Sequence, residues 1–174
     1  MALKADRHEL DVDISYFMNE TAEKGQIVCI STVGSGAAMD QAGALVTVKD
    51  AHASTSIPVG VLLNDVVDLD LTRQHINWHK DEVQKGGKVA ILKKGYIVTD
   101  QVVIDGAVTA GELAFLDDTG SDGTGKFVDN ATVADGVRNV VGRFMSDVDE
   151  DGYAKIEVNL PVPMNVALAA GIDV

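Results

Sequence analysis

The stretch Ile57-Pro58-Val59-Gly60-Val61-Leu62-Leu63-Asn64-Asp65-Val66 recurs near the C-terminus as Asn139-Val140-Val141-Gly142-Arg143-Phe144-Met145-Ser146-Asp147-Val148. Each copy is an apolar run of strand length with a glycine inside it and an Asn-Asp or Ser-Asp turn signal at its end. A glycine inside such a run indicates a bulge, a sharp barrel corner or the close approach of another backbone. A strand led by lysine follows each copy, at residues 88–92 and 155–160. The repeat predicts two related strands of one small β-barrel or sandwich.

Composition and turn spacing extend this prediction to the whole chain. The 174 residues include 17 glycines and 3 prolines, and only 5% are aromatic, which suits short strands joined by tight turns. Turn signals recur from residue 84 onward, including a predicted turn at 93–95 between strands 88–92 and 96–99. We predict a mainly β fold, a small antiparallel β-barrel or sandwich at 25–160, with an extended N-terminal arm at 1–24 and a C-terminal tail at 161–174.

Charge and cysteine content restrict the partners and the compartment. The formal net charge is −13, so the surface should repel phosphate backbones and anionic membranes, and we expect neither nucleic acid nor membrane as a partner. Cys29 is the single cysteine and lies in an apolar run, which indicates a core residue. The N-terminus is charged and lacks a hydrophobic signal region, so synthesis in a cytoplasm is expected.

Both ends of the chain leave alternatives open. Residues 10–16 alternate apolar and polar side chains, which predicts an extended, half-buried segment that is either an edge strand or an arm pairing with another subunit. Residues 17–24 could add a turn or two of helix. The largely apolar tail at 161–174 either binds a partner or packs back on its own domain.

The segment 68–83 differs from its surroundings. His75 and His79 would share a helix face and could bind a metal, but Ile76 stands where a zinc-protease helix has glutamate. We favour a long, partly extended loop without a metal. Trp78 in this loop is either a core residue or an interface anchor, since tryptophan and arginine are enriched at interface hot spots.

The remaining motifs do not assemble into an active site. Residues 147–152 match the D-x-D-x-D-G opening of a calcium loop, but Val158 holds the position that needs a bidentate glutamate. This segment is therefore interpreted as a strand–turn–strand connection, with a calcium loop as the alternative. No nucleophile elbow is present, and Cys29 has no histidine nearby in sequence. A binding or structural module without catalytic residues or cofactor is the predicted class.

The order of several short motifs resembles that of the tailed-bacteriophage capsid decoration, or cement, proteins. The resemblance covers most of the chain up to residue 160, and it rests on residues 58–67, 71–83, 86–89, 94–96, 108–111, 141–144 and 149–155. It implies a small β-rich protein that binds the outside of a mature icosahedral head, commonly as a trimer. Such a protein clamps neighbouring major capsid subunits against internal DNA pressure, and it has no active site to carry over.

The resemblance turns several polar residues into candidate contacts with the capsid or with other subunits. They are Arg7 and His8 in the N-terminal arm, and Arg73, His75, Trp78, His79 and Lys80 in the distinctive loop. Local packing or solvation is the alternative role for each of them. The competing function is another virion β-module, such as a tail-tube or a carbohydrate- or receptor-binding protein, and an enzyme is a more distant third.

Overall fold

The computed structural model describes residues 2–30, 45–47, 57–65, 81–103, 108–117, 125–129, 132–133, 136–137 and 139–160. Regular structure in these residues consists of strands, in the order β1 (His8–Met18), β2 (Ala22–Glu23), β3 (Ile27–Ile30), β4 (Leu45–Thr47), β5 (Pro58–Asp65), β6 (Glu82–Val83), β7 (Lys88–Thr99), β8 (Leu113–Leu116), β9 (Phe127–Val128), β10 (Thr132–Val133), β11 (Gly136–Val137), β12 (Val140–Phe144) and β13 (Ala154–Asn159). The mainly β prediction is confirmed. The predicted helical turn at 17–24 is wrong, because this segment completes β1 and then forms β2, which pairs with β6.

Nine of these strands form one sheet in the order β1-β4-β3-β5-β7-β13-β12-β8-β9. β1 also pairs with β7, so the first five strands in this order close on themselves. The far end of the sheet returns toward β3, because the amide of Ile27 donates to the carbonyl of Gly125 at 2.7 Å. The strand pairings in this sheet are antiparallel, except that of β1 with β4. The result is the nearly closed antiparallel barrel that the sequence predicted.

The two copies of the repeated stretch become β5 and β12. β5 pairs with β7 and β12 pairs with β13, while β7 and β13 pair with each other at the centre of the sheet. A Cβ on Gly60 would lie 2.5 Å from the carbonyl oxygen of Leu92, and a Cβ on Gly142 would lie 1.8 Å from that of Glu157. Each glycine therefore allows the neighbouring backbone to approach closely, which is one of the three roles predicted for both copies.

β7 corrects one prediction. The expected turn at 93–95 is absent, and residues 88–99 form one strand of 12 residues. Gly95 does not reverse the chain. It adopts a φ of +141°, and a Cβ there would lie 2.0 Å from the carbonyl oxygen of His8 in β1. The lysines and glycine that resemble a turn therefore lie where β1 crosses close to β7.

Three adjacent strands are buried on both faces, which explains the uninterrupted apolar runs of β3, β5 and β7. Val28, Leu62 and Ile91 belong to a smaller core cluster that also contains Met18. Their sequence neighbours face the larger cluster, which contains Ile27, Cys29, Val61, Leu63, Ala90 and Leu92. Cys29 is a core residue as predicted, and burial raises the pKa of its thiol to about 12.

Candidate interaction surface

β1 exposes apolar side chains that a half-buried strand would cover. Leu10 is 71% exposed, Ile14 47% and Val12 36%, and they alternate along the strand with acidic residues. The predicted extended strand is confirmed, but its apolar side is exposed at residues 10–14, and β1 reaches the core only near its C-terminal end, at Met18 and the partly buried Tyr16. We call Leu10, Val12 and Ile14 the β1 surface. A group of exposed apolar side chains on one strand is a candidate site of interaction with a partner.

A β-bulge displays the most exposed of these residues. Glu9 pairs with Gly95 and Asp11 pairs with Lys94, so Leu10 is an extra residue on β1 with no counterpart on β7. A Cβ on Gly95 would lie 3.3 Å from the amide nitrogen of Leu10, so the glycine makes room for the bulge. Bulges often re-aim a side chain next to a functional site. Gly95 therefore shapes the position from which Leu10 projects.

Among the residues that the structure describes, no strand covers one edge of β1 over most of its length. The strand pairs with β7 along one edge, and its pairing with β4 is restricted to Phe17 and Met18. Within the described part of the chain, no strand pairs with the other edge of residues 8–16. The amide of Ser15 on this stretch donates to the Asp13 carboxylate at 2.8 Å. An open edge presents backbone donors and acceptors to any extended chain that comes close.

The barrel fixes both ends of β1 in place. Before the strand, Leu3 is buried and forms a bridge with Thr99, whose hydroxyl donates to the carbonyl of Ala2 at 2.8 Å. After the strand, the amide of Met18 donates to the carbonyl of Gly87 at 3.0 Å, and the amide of Gly86 donates back to Met18 at 2.8 Å. The β1 surface is therefore part of the barrel, held at both ends.

Lys4 also helps to hold the segment before β1 in place, through polar contacts. Its Nζ lies 3.8 Å from the centroid of the Tyr153 ring and 3.3 Å from Oδ2 of Asp149. A cation over a tyrosine face adds a modest attraction at an exposed site. The segment before β1 is thus held to the β12–β13 connection.

An ion pair joins β1 to β7 beside the β1 surface. Nζ of Lys93 donates to Oδ2 of Asp13. Partial burial opposes ionisation, but the hydrogen bonds from Lys93 and from Ser15 hold the pKa of Asp13 below its usual value. Burial likewise opposes the charge of Lys93, and the contact with Asp13 outweighs it and raises the lysine pKa. The pair therefore stabilises the packing of β1 on β7 at neutral pH.

Replacing Asp13 with asparagine is expected to lower the free energy of unfolding at neutral pH by about 1 kcal/mol. Asparagine keeps an acceptor for the Ser15 amide and removes only the charge. The folded-state pKa of Asp13 lies below its unfolded value of about 3.9, so its contribution is present above that pH and is lost as pH falls through the folded-state pKa. Urea denaturation across this range should show the two proteins converging in acid. A difference that stays constant with pH would contradict the charge interaction.

Two of the predicted contact residues, Arg7 and His8, lie next to the β1 surface. Both are exposed. Arg7 pairs with the carboxylate of Glu9, and the His8 ring stacks on Tyr96 with centroids 5.5 Å apart and planes 19° from parallel. Nζ of Lys155 lies 4.2 Å from the centroid of the same tyrosine. These residues extend the β1 surface with polar and aromatic groups.

The other predicted contact residues belong to the distinctive loop. Arg73, His75, Trp78, His79 and Lys80 lie outside the described residues. The apolar tail at 161–174 lies outside them as well. Leu10, Val12, Ile14 and Tyr96 are the surface residues that sequence reasoning did not single out.

The D-x-D-x-D-G segment is the predicted strand–turn–strand connection, between β12 and β13. Oδ1 of Asp149 accepts hydrogen bonds from the amides of Asp151 and Tyr153, at 3.1 and 2.7 Å. The hydrogen bond from Tyr153 is the main reason that the pKa of Asp149 lies below its usual value, and Lys4 adds to it. Oδ1 of Asp147 accepts from the amide of Ala110 at 2.8 Å. These carboxylates therefore organise the turn.

Two other kinds of site are absent from the described residues. No group of three or more histidine, cysteine, aspartate or glutamate side chains among them is arranged to hold a metal ion. The same residues contain no helix that is long and apolar enough to cross a membrane. The exposed apolar side chains of the β1 surface suit a protein partner.

Comparison with known proteins identifies the family. No curated protein sequence matches this chain significantly. The sequence model of a phage family, described as structural cement protein (E217 gp24/Pam3 gp6), matches residues 8–159. This match begins at the first residue of β1 and ends at the last residue of β13. It spans most of the 174 residues, so the chain belongs to the phage structural cement protein family.

Proposed function

We propose that this protein binds the outer surface of a mature icosahedral phage head, where it clamps neighbouring major capsid subunits. Membership of the cement family supports a structural, capsid-stabilising role in the virion. The observation that carries the finer proposal is the β1 surface, because its apolar residues are exposed on a strand that the barrel holds at both ends. Such a surface needs no ordering before it binds, which lowers the entropic cost of association.

The proposed active form is a homotrimer. A trimer that engages several capsid subunits at once multiplies a weak single contact into strong overall binding. Arg7 and His8 extend the contact made by the β1 surface, and Arg73, His75, Trp78, His79 and Lys80 are proposed as a second contact. The net charge of −13 argues against nucleic acid as the partner and is compatible with a basic patch on the capsid.

The function is tested by co-sedimentation of the purified protein with undecorated, expanded heads, and with unexpanded procapsids as the control particle. Saturable binding to the expanded heads alone is the expected result. Absence of binding to both particles by a folded protein would sink the proposal. It would then favour the tail-tube or receptor-binding alternative.

The double variant Leu10→Ser/Ile14→Ser is expected to weaken binding to expanded heads by at least about tenfold. Burying one such side chain contributes about 1.5–3 kcal/mol, and 1.4 kcal/mol corresponds to a factor of ten. Both residues are exposed in the free protein, so the fold should be retained. Ile57→Ser is the matched control, because Ile57 is 52% exposed outside β1. Equal binding by the double variant and the control would exclude the β1 surface as the contact.

A further inference from the structure

We propose that β1 receives an extended segment of the major capsid protein as an added strand, and that this segment alternates apolar and basic residues. The inference rests on the proposed function and specifies how the contact is made. It combines the open edge of β1, the apolar side chains beside that edge, and the charge of the strand.

The open edge favours strand addition over contact through side chains alone. Along residues 8–16, β1 pairs with β7 on one edge only within the described structure. In the C-terminal half of the strand, the Asp13 carboxylate caps the amide of Ser15 and β4 covers Phe17 and Met18. Among the described strands, none covers the N-terminal half of this edge. Soluble proteins usually blunt such an edge, and an edge left open is suited to pairing with another chain.

The side chains of β1 specify the chemistry of the added strand. Partner residues that lie beside Leu10, Val12 or Ile14 would be apolar, because cross-strand neighbours on one face pack against each other. The alternate positions carry acids, and no lysine or arginine lies within β1. Asp11 forms no direct ion pair with a residue in the described ranges, although its charge helps to raise the pKa of Lys93 on β7. Basic residues on the partner would complement this charge.

Charge also argues against a second copy of β1 as the occupant. Two β1 strands paired with each other would bring the acids of one chain close to those of the other, and of these acids Glu9 and Asp13 already pair with Arg7 and Lys93 of their own chain. Like charges on neighbouring strands are destabilising. An extended segment with lysine or arginine at alternate positions would instead be attracted by the acids of β1.

The backbone pairing is tested by amide hydrogen exchange of the full-length protein, free and bound to expanded heads. Exchange of the open-edge amides within residues 8–14 is expected to slow by about tenfold or more on binding, while amides of β13 stay unchanged. Saturable binding without protection of these amides would overturn strand addition and leave the proposed function intact. Absence of binding would count against the proposed function. Protection that grows with concentration in the free protein would show that a second copy occupies the edge, and would also overturn the inference.

The charge pattern is tested with two variants that change the net charge equally. Asp11→Lys is expected to weaken binding to expanded heads by about tenfold or more, and Asp151→Lys, in the exposed β12–β13 turn, by no more than about twofold. The affinity of Asp11→Asn for expanded heads should lie between those of the wild type and Asp11→Lys. Equal effects of the two lysine variants would overturn a basic partner segment, because long-range repulsion alone would then explain the loss.

Discussion

Gly142→Ala is expected to lower the free energy of unfolding by about 3 kcal/mol or more. The added Cβ would lie 1.8 Å from the carbonyl oxygen of Glu157 and 2.9 Å from its carbonyl carbon. Both atoms belong to the backbone of β13, which pairs with β12 at this point and with β7 on its other edge. A backbone held on both edges cannot move aside as a flexible side chain can. Urea denaturation of the variant and the wild type measures the difference.

Gly86→Ala is the control for this prediction. Gly86 has a φ of +83°, but a Cβ there would have nothing within 4 Å, so the substitution brings only backbone strain of about 1–2 kcal/mol. The loss of stability in Gly60→Ala should lie between these two. The atoms nearest to a Cβ on Gly60 are a methyl of Ile91 at 2.3 Å and the carbonyl oxygen of Leu92 at 2.5 Å. The close packing of β12 on β13 would be refuted if Gly142→Ala cost no more than Gly86→Ala.

The repeated stretch was informative because its glycines have a backbone role that few other residues can fill. Gly60 and Gly142 each lie against the carbonyl of the residue that pairs with the next position along the strand, Leu92 with Val61 and Glu157 with Arg143. The same local geometry therefore requires the same residue in both copies. Barrel class and the positions of β5 and β12 could be predicted for this reason.

The course of β7 could not be predicted from local sequence. Two lysines followed by a glycine are typical of a turn, yet Gly95 lies inside a continuous strand. A glycine is required at position 95 because β1, which is distant in sequence, lies against it. A local pattern does not distinguish a glycine that turns the chain from one that admits a distant backbone.

The candidate site was predicted only in part, for a similar reason. Alternating apolar and polar residues indicate an extended strand, but they do not say whether the apolar side meets the protein's own core or a partner. Arg7 and His8 were identified as candidates on the strength of a resemblance, whereas Leu10, Val12 and Ile14 were assigned to a half-buried segment, either an edge strand or an arm pairing with another subunit. The sequence did contain a signal of exposure. Acids occupy positions 9, 11 and 13, so β1 lacks the uninterrupted apolar run that β3 and β5 contain.

Gly95→Ala is expected to weaken binding to expanded heads by about tenfold or more while the barrel remains folded. The added Cβ would lie 2.0 Å from the carbonyl oxygen of His8 and 3.3 Å from the amide nitrogen of Leu10, so β1 must move away from β7 at the bulge. Strain from the φ of +141° adds to this cost, for a total loss of about 2–3 kcal/mol of stability. The barrel should persist, because β7 keeps β5 and β13 on its other edge. Co-sedimentation measures the binding, and hydrogen exchange of residues 8–12 measures the displacement.

Gly111→Ala separates this effect from backbone strain in general. Gly111 has a φ of +99° with nothing within 4 Å of an added Cβ, so its alanine variant should lose stability without losing capsid binding. Faster exchange across β1 in Gly95→Ala, combined with wild-type binding, would mean that the β1 surface is not the capsid contact. Unchanged exchange and unchanged binding would mean that β1 tolerates the extra methyl, and the bulge would then owe its shape to β1 alone. Faster exchange across β1 together with weaker binding is the result expected if Gly95 keeps Leu10 in position for the capsid.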